Sequence, residues 1–493
     1  MMKHTRLIFL MLTTLYSTIP GLNAQTITLD EFMNQLRLAH PVFEKEELTV
    51  QIDKEIQMGY LGAKDWLISS GPYYSRLNPL PPGSFTPDRI DQLNFGAVAQ
   101  RAFWKTGGRL SFSWSSDRTD QIGLQNIVLP LGDLTGNPAI PDMVFETGPS
   151  KYYQNALAVT YTHPLLKNRG GFLDRLQYDL KQYDIDFSEV HVIENQEGFL
   201  AEVAAKFLDW VLLTEQKQIM QDRLKLNESE LARTKEKKEA NLIDEVDVLR
   251  AEDALRIAKQ NQILLESRWS ALQSELAVLS MNSDIFEMSP EFDINSFEDI
   301  MTFEEASTYL NGNSRPIRSL QVRLDQLKYA QKGYEEISKP DLSFIAQLNS
   351  KNLAEDFGES MKLKERDAYL GFQFSFPLGN RTAKSQMTQS ELQTQRLEKE
   401  LLDLSLTLTS TLINIYVQIE QMEEVLRLNE EQIESAKKRT EEELKLYNQG
   451  RGEMTFVIQS QDSEENSKLT YAINAVTYHK LIIVYKSLMD QLL

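Results

Sequence analysis

Apolar residues take every second place in "YLGFQFSFPL": Leu370, Phe372, Phe374 and Phe376 fall on one face, with Gly371, Gln373 and Ser375 on the other. A period of two predicts a strand. "RLSFSWSS" repeats the pattern with Leu110, Phe112 and Trp114 against Ser111, Ser113 and Ser115. "NALAVTYTH" sets Leu157, Val159 and Tyr161 against Ala156, Ala158, Thr160 and Thr162, and "LSFIAQLN" adds Leu342, Phe344, Ala346 and Leu348. Between Trp66 and His163 there is room for up to four strands, including a hairpin about "WKTGGRLSF" that turns at Gly107 and Gly108. The pattern leaves open whether this hairpin, near 93–116, joins the same sheet as its neighbours. The Gly- and Pro-rich stretch 121–151 reads as a long exposed connection.

Elsewhere the pattern is helical. One tract is predicted over 172–239 and a second from about Ile243 to Leu279, and the same pair recurs from about Ala383 to Asn448 and Glu453 to Leu492. At 1.5 Å per residue the first arm of each pair is roughly 100 Å long and the second roughly 55 to 60 Å. A helix opens each half, over 29–64 and 302–338, each starting at a threonine followed by acidic residues in a capping-box arrangement. Stacked on the short arm, such a helix completes a second rod of about equal length. From Glu228 to Glu239 only Leu231 and Ala232 are apolar, and from Asn429 to Glu443 only Ile433 and Ala436. That leaves a narrow seam, so water touches most of each rod near its far end.

The halves share one plan. "TLDEF" at Thr28 is echoed by "TFEEA" at Thr302, His40-Pro41 by Arg315-Pro316, Gly59-Tyr60 by Gly333-Tyr334, and "THPLLKNRGG" by "FSFPLGNRTA". All four echoes keep their order. The chain divides into a signal peptide (1–24), a first repeat (25–280), a linker (281–301) and a second repeat (302–493). The first repeat holds strands within 66–163 and a hairpin over 172–280; the second holds strands over 341–378 and a hairpin over 383–492.

Composition narrows what such a chain can do. A net charge of -20 over 493 residues disfavours nucleic acid, whose phosphates select basic surfaces. Lys3 and Arg6, the apolar "LIFLMLTTLYSTI" and Ala24 read as an export signal. With no cysteine there is no disulfide, no thiolate metal site and no acylated N-terminal cysteine. No later segment is long and apolar enough for a membrane-spanning helix, so spanning falls to strands. Alternating strands are commoner in soluble sandwiches. Here the polar face is small and uncharged, the apolar face is aromatic and the chain is exported, a combination that a transmembrane β-barrel explains. Five histidines and no nucleophile elbow, zinc motif or phosphate loop give no catalytic residue, no metal site and no cofactor.

In order and spacing, "TLDEFMNQLRLAHP", "THPLLKNRGG", "FSFPLGNR", "ANLIDEVDVLRAE" and "YNQGRGEMTFVIQSQ" resemble the TolC-like outer-membrane efflux channel family over nearly the whole mature chain. The resemblance implies an α+β membrane protein: a homotrimer whose strands close one β-barrel in outer-membrane lipid, continued by a periplasmic α-helical coiled-coil barrel. It implies a passive exit duct of a tripartite efflux or secretion system, docked at its helical tips to a periplasmic adaptor and an inner-membrane pump. It makes 281–300 the collar around the helices. The family usually shows two strands per half, fewer than the count before His163.

The same resemblance assigns residues. Docking falls to Asn241, Leu242 and Ile243 on one tip and Gly450, Arg451 and Gly452 on the other. Glycine supplies the positive φ of a reversal, and asparagine is the next most tolerant residue. Closure falls to Asp247, Tyr447 and Arg451, with the arginine one position earlier than usual. The aperture positions carry Phe456 and Gln459 where some members carry aspartate. Phe456 is read either as an apolar constriction or as a core residue of the hairpin seam. A periplasmic coiled-coil adaptor or scaffold without a pore is the rival reading; it would use the tips but not the strands.

Overall fold

The computed structural model describes residues 25–80, 86–123, 126–145 and 148–493. The expected signal peptide, 1–24, lies outside the described residues. The chain begins with β1 (Gln25–Thr28), α1 (Leu29–Ala39) and α2 (Pro41–Tyr60). Next come β2 (Leu67–Leu77), β3 (Arg89–Phe103), β4 (Gly108–Ile122), β5 (Ile127–Leu129), α3 (Leu131–Thr135), β6 (Met143–Phe145) and β7 (Lys151–Pro164). Two long helices, α4 (Phe172–Glu239) and α5 (Glu245–Leu279), precede β8 (Met288–Glu291), α6 (Phe303–Asn313) and α7 (Arg315–Ser338). The chain ends with β9 (Asp341–Ala354), α8 (Phe357–Ser360), β10 (Glu365–Ser375), α9 (Arg381–Asn448) and α10 (Met454–Leu488).

The two helical pairs match arm for arm: 68 and 35 residues in α4 and α5, and 68 and 35 in α9 and α10. Both opening helices start at the expected capping boxes, Thr28 with Glu31 and Thr302 with Glu305. Neither opening helix is continuous, which corrects the single helices expected over 29–64 and 302–338. His40 is extended (φ −78°, ψ 129°) because the following Pro41 disfavours helical geometry in the residue before it. Pro41 then occupies the first position of α2, where its missing N–H costs nothing. Ser314 breaks the second helix at the matching place with an extended ψ (φ −55°, ψ 127°), and Pro316 lies in the first turn of α7.

The chain forms two compact units. The described part of the first comprises 25–46, 193–314 and 407–493; the second comprises 47–192 and 315–406. In the first unit Leu200, Phe207, Leu208 and Trp210 of α4 are buried with Ala475, Tyr478 and Ile482 of α10 and with Phe32 and Leu36 of α1. Each large side chain buried this way contributes about 1.5–3 kcal/mol. The linker joins this core through Ile285, Met288 and Ile294. β8 lies within the linker and pairs in parallel with β1, a four-residue ladder too short to leave a period in the sequence.

The second unit is built on one six-stranded sheet in the order β10-β9-β7-β4-β3-β2, with every pair antiparallel. Four long strands, β2, β3, β4 and β7, lie between Trp66 and Pro164, and the β3–β4 hairpin sits inside the sheet. The connection 121–151 contains β5 and β6, paired with each other, and the short α3; its residues 124–125 and 146–147 lie outside the described set. The helices of this unit are tied by polar pairs: Lys181 to Asp53 (2.6 Å), Arg323 to Asp184 (2.7 Å) and Tyr329 to Asp179 (2.6 Å). Among the described residues no helix is long and apolar enough to cross a membrane.

Candidate functional site

The sheet has two chemically different faces, and register decides which residue is on which. Ala368, Leu370, Phe372 and Phe374 of β10 stand opposite Leu348, Ala346, Phe344 and Leu342 of β9. Val159 and Tyr161 of β7 continue that face, followed by Phe112 and Leu110 of β4, then Ala99 of β3 and Ile68 of β2. Trp114 opposes Ala97 one step along, its ring 5.6 Å from Phe95. Phe344 and Phe372 lie 5.5 Å apart on the same face. Ile68, Leu370 and Phe372 are each more than 70% exposed, so among the described residues nothing covers the apolar face at these positions. The opposite face carries Gln373, Ser343, Gln347, Thr160, Thr162, Ser111, Ser113, Gln100 and Ser69.

The strand ends leave the sheet through two matching turns. Asn168 (φ 62°) and Asn380 (φ 43°) both take left-handed geometry just before α4 and α9. The Asn168 side chain accepts from Leu173 N (2.8 Å), and the Asn380 amide donates to Ser338 O (2.9 Å). The β3–β4 turn packs on the first of these exits: Arg175 Nη1 donates to Trp104 O (3.1 Å) and Gly170 O (3.0 Å). Lys64 Nζ lies 4.1 Å from the Trp104 ring centre.

At the far ends of the long helices the chain reverses twice by one device. Asn241 has φ 57° and Gly450 φ 71°. Leu242 N donates to Lys237 O and Asn241 N to Lys238 O (both 2.9 Å); Arg451 N donates to Leu446 O (2.9 Å) and Gly450 N to Tyr447 O (3.1 Å). Both are Schellman reversals with the left-handed residue just past the helix end. The apolar contact that usually accompanies the motif is missing from the first tip, because its partner position is Lys237. Leu242 is therefore left 72% exposed. Ile243 is half-buried. Gly452 is needed for a different reason: a Cβ there would press on Tyr447 N and the Leu446 backbone.

The residues read as a gate are only partly gathered. Asp247 lies in the first turn of α5 and pairs with Arg250 (3.2 Å). Tyr447 is half-buried, with Lys237 Nζ 3.7 Å from its ring centre. Burial pushes its hydroxyl pKa up, and the Asp247 and Glu230 carboxylates add to this. Burial also pushes Lys237 down, with Arg233 adding to it. Arg451 is exposed, and its side chain makes no ion pair among the described residues. Phe456 lies outside the seam of its own chain. Seam positions belong to Ala251, Met454 and Val457, with Leu231, Leu444 and Ile458 packed against them, whereas Phe456 is 51% exposed. Gln459 is exposed and lines an open cleft of about 580 Å³ with Met220, Ile257 and Thr455.

Sequence reasoning missed a polar cluster joining α4 to α10. Arg223, buried, donates through Nη1 to Gln461 (3.0 Å) and pairs through Nε with Glu465 (3.2 Å) and through Nη2 with Asp462. Gln461 in turn donates to Glu230. Burial raises the pKa of Glu230 and Glu465, and the Arg223 charge opposes that rise in both. The signal was present as Gln461, Asp462 and Glu465 on one helical face, but nothing local pointed to Arg223.

No family model and no curated protein matches the sequence. Several solved structures do. The outer-membrane channel OprN is 13% identical, with 94% of this chain and 90% of that one aligned at a TM-score of 0.67. The outer membrane protein VceC of Vibrio cholerae is 9% identical over 94% and 96% of the two chains (TM-score 0.64). The open state of the MtrE outer membrane channel of Neisseria gonorrhoeae is 13% identical over 97% and 94% (TM-score 0.62). From the two-faced sheet to the paired hairpin tips, this chain has the fold of the TolC-like outer-membrane channels.

Proposed function

We propose that the protein is an outer-membrane channel, the passive exit duct of a tripartite efflux or secretion system. Three copies close one β-barrel in outer-membrane lipid, and their helices, arranged as two repeats per chain, continue it into the periplasm. The observation that carries this reading is the sheet, apolar and uncovered on one face and polar on the other. Lipid requires such a wall, since every backbone group must be paired within it while the lumen stays wet. A periplasmic adaptor or scaffold has no use for that wall. The chemistry is transport without catalysis, metal or cofactor.

In this reading a periplasmic adaptor and an inner-membrane pump dock at Asn241, Leu242, Ile243, Gly450, Arg451 and Gly452, where Leu242 offers exposed apolar surface. Asp247, Tyr447 and Arg451 hold the tips together between neighbouring copies, and Phe456 and Gln459 line the aperture. The protein should be extracted from membranes only by detergent, run as a heat-labile trimer and conduct ions in a planar bilayer. Release by osmotic shock as a non-conducting protein would favour the adaptor instead. Reversing the charge with Asp247→Lys should raise single-channel conductance; unchanged conductance removes Asp247 from the gate.

A further inference from the structure

The six-stranded sheet ends in two bare edges, β2 and β10. Both strands are eleven residues long, and ten residues of each are exposed, whereas most residues of the four inner strands are covered at least in part. A long flat edge of unpaired N–H and C=O groups invites another strand in water and is excluded from lipid. Resting on the channel reading above, we propose that β2 of one copy pairs with β10 of the next. All six strands, the β3–β4 hairpin included, then belong to the membrane wall.

Three features of the sheet fit a second copy of this chain and no other strand so well. The first is polarity. Because every neighbouring pair is antiparallel and the count is even, β2 and β10 run in opposite directions. A copy related by rotation about the pore axis therefore brings its β10 alongside β2 antiparallel, as a closing ring requires. The second is face continuity. Ile68 and Pro72 on β2 share the apolar side with Leu370 and Phe372 on β10, and Ser69 and Gly71 share the polar side with Gly371 and Gln373. A seam of these strands sets apolar residues facing out on both, with Ser70 between Ile68 and Pro72 as the one small polar side chain among them. The third is that the hairpin is built in. Phe95, Ala97, Ala99, Phe112 and Trp114 carry the apolar face across β3 and β4, and Arg175 and Lys64 fasten the turn at Trp104. Pro72 removes one donor from β2, a loss that one position of the ladder can carry.

Six strands from each of three chains make eighteen in all. With strands about 4.8 Å apart and tilted by about 40°, the barrel is about 36 Å across at the backbone, against about 24 Å for the twelve strands of four per chain. The lumen is correspondingly wider, in the range where porin-like barrels keep an aqueous channel.

The chain has no cysteine, so introduced pairs can be read without background. On the polar face near the helical end of the sheet, Ser69→Cys is combined in turn with Gly371→Cys, Gln373→Cys and Ser375→Cys. Near the other end, Ser75→Cys is combined with Asp367→Cys and Tyr369→Cys. Oxidation in native membranes should give a ladder ending at three linked chains for at least one combination at each end. A second measurement labels single cysteines in the hairpin. Ala97→Cys should react with a membrane-permeant maleimide and be shielded from a charged one, and Ser113→Cys should react with the charged reagent. A heat-labile, detergent-extracted trimer that gives no cross-link at either end, or in which Ala97→Cys reacts freely with the charged reagent, overturns the six-strand wall and leaves the channel reading standing. Failure to find a trimer or to require detergent overturns the channel reading itself.

Discussion

Asn241 and Gly450 occupy the same left-handed position of the two hairpin reversals, two residues past the end of a 68-residue helix in each case. The geometry costs glycine little and costs a residue with an ordinary Cβ about 1–2 kcal/mol. Gly450→Ala should therefore raise the exchange rate of the Gly450 and Arg451 amides roughly 5- to 30-fold. Asn241→Gly should slow exchange at Leu242 or leave it unchanged. Equal effects of both substitutions would mean that the turns are not held by this motif.

Gly170 and Gly171 have nearly the same backbone, φ 73° and 67°, but different surroundings. A Cβ on Gly170 meets nothing within 4 Å, whereas one on Gly171 would collide with Trp104 O. Gly170→Ala should cost about 1–2 kcal/mol and lower the thermal midpoint of the protein by a few degrees. In Gly171→Ala, overpacking adds about 1–3 kcal/mol more, and the β3–β4 turn is forced off the start of α4. Little or no folded protein should then be recovered.

The long elements were legible because their periods are long. Phe172–Glu239 spans α4 as expected, and the strands around Phe112, Val159, Phe344 and Phe372 all pair in one sheet. The tips were legible because Gly450 and Asn241 interrupt that period with residues suited to positive φ. The breaks at His40 and Ser314 fell inside otherwise helical patterns, where a proline in the next turn was the only warning. Membership of β3 and β4 in the sheet depends on which strands become neighbours, and alternation within a strand carries no record of that. The Arg223 cluster was hidden for the same reason, since its partners are brought together only by the packing of α10 on α4.

Arg223 pairs with both Asp462 and Glu465 in that cluster. Arg223→Met fills similar volume but takes from the partly buried Glu465 carboxylate its ion-pair partner. The expected loss is about 2–4 kcal/mol, less than for a fully buried pair because Asp462 is half exposed. Adding Glu465→Gln should recover at least about 1 kcal/mol, read as a non-additive term in a double-mutant cycle on the loss of helical circular dichroism. Strict additivity would mean that the two side chains do not interact.

His479 makes the first unit sensitive to acid. It is 2% exposed, and its Nε2 donates to Ile294 O (3.3 Å), which leaves Nδ1 as a buried acceptor with no hydrogen-bond partner among the described residues. Phe292 packs edge-on at 4.7 Å, Tyr478 at 5.2 Å, and the charges of Glu298, Asp293 and Lys486 act on it from nearby. Burial holds its pKa below the usual 6.5; the Ile294 contact and the two carboxylates oppose that without reversing it. The unfolded chain therefore binds a proton at higher pH than the folded one. Stability from this group is fully present above pH 6.5 and is lost as pH falls from there through the folded value. Glu230 and Glu465, whose pKa values are raised, act with the opposite sign at lower pH, so the histidine is isolated by difference. Thermal midpoints of the detergent-solubilised protein and of His479→Gln, followed from about pH 8 to about pH 5, should run parallel above pH 6.5 and converge below it as the wild type loses its advantage. Parallel curves throughout would mean that the imidazole keeps an ordinary pKa in the folded protein.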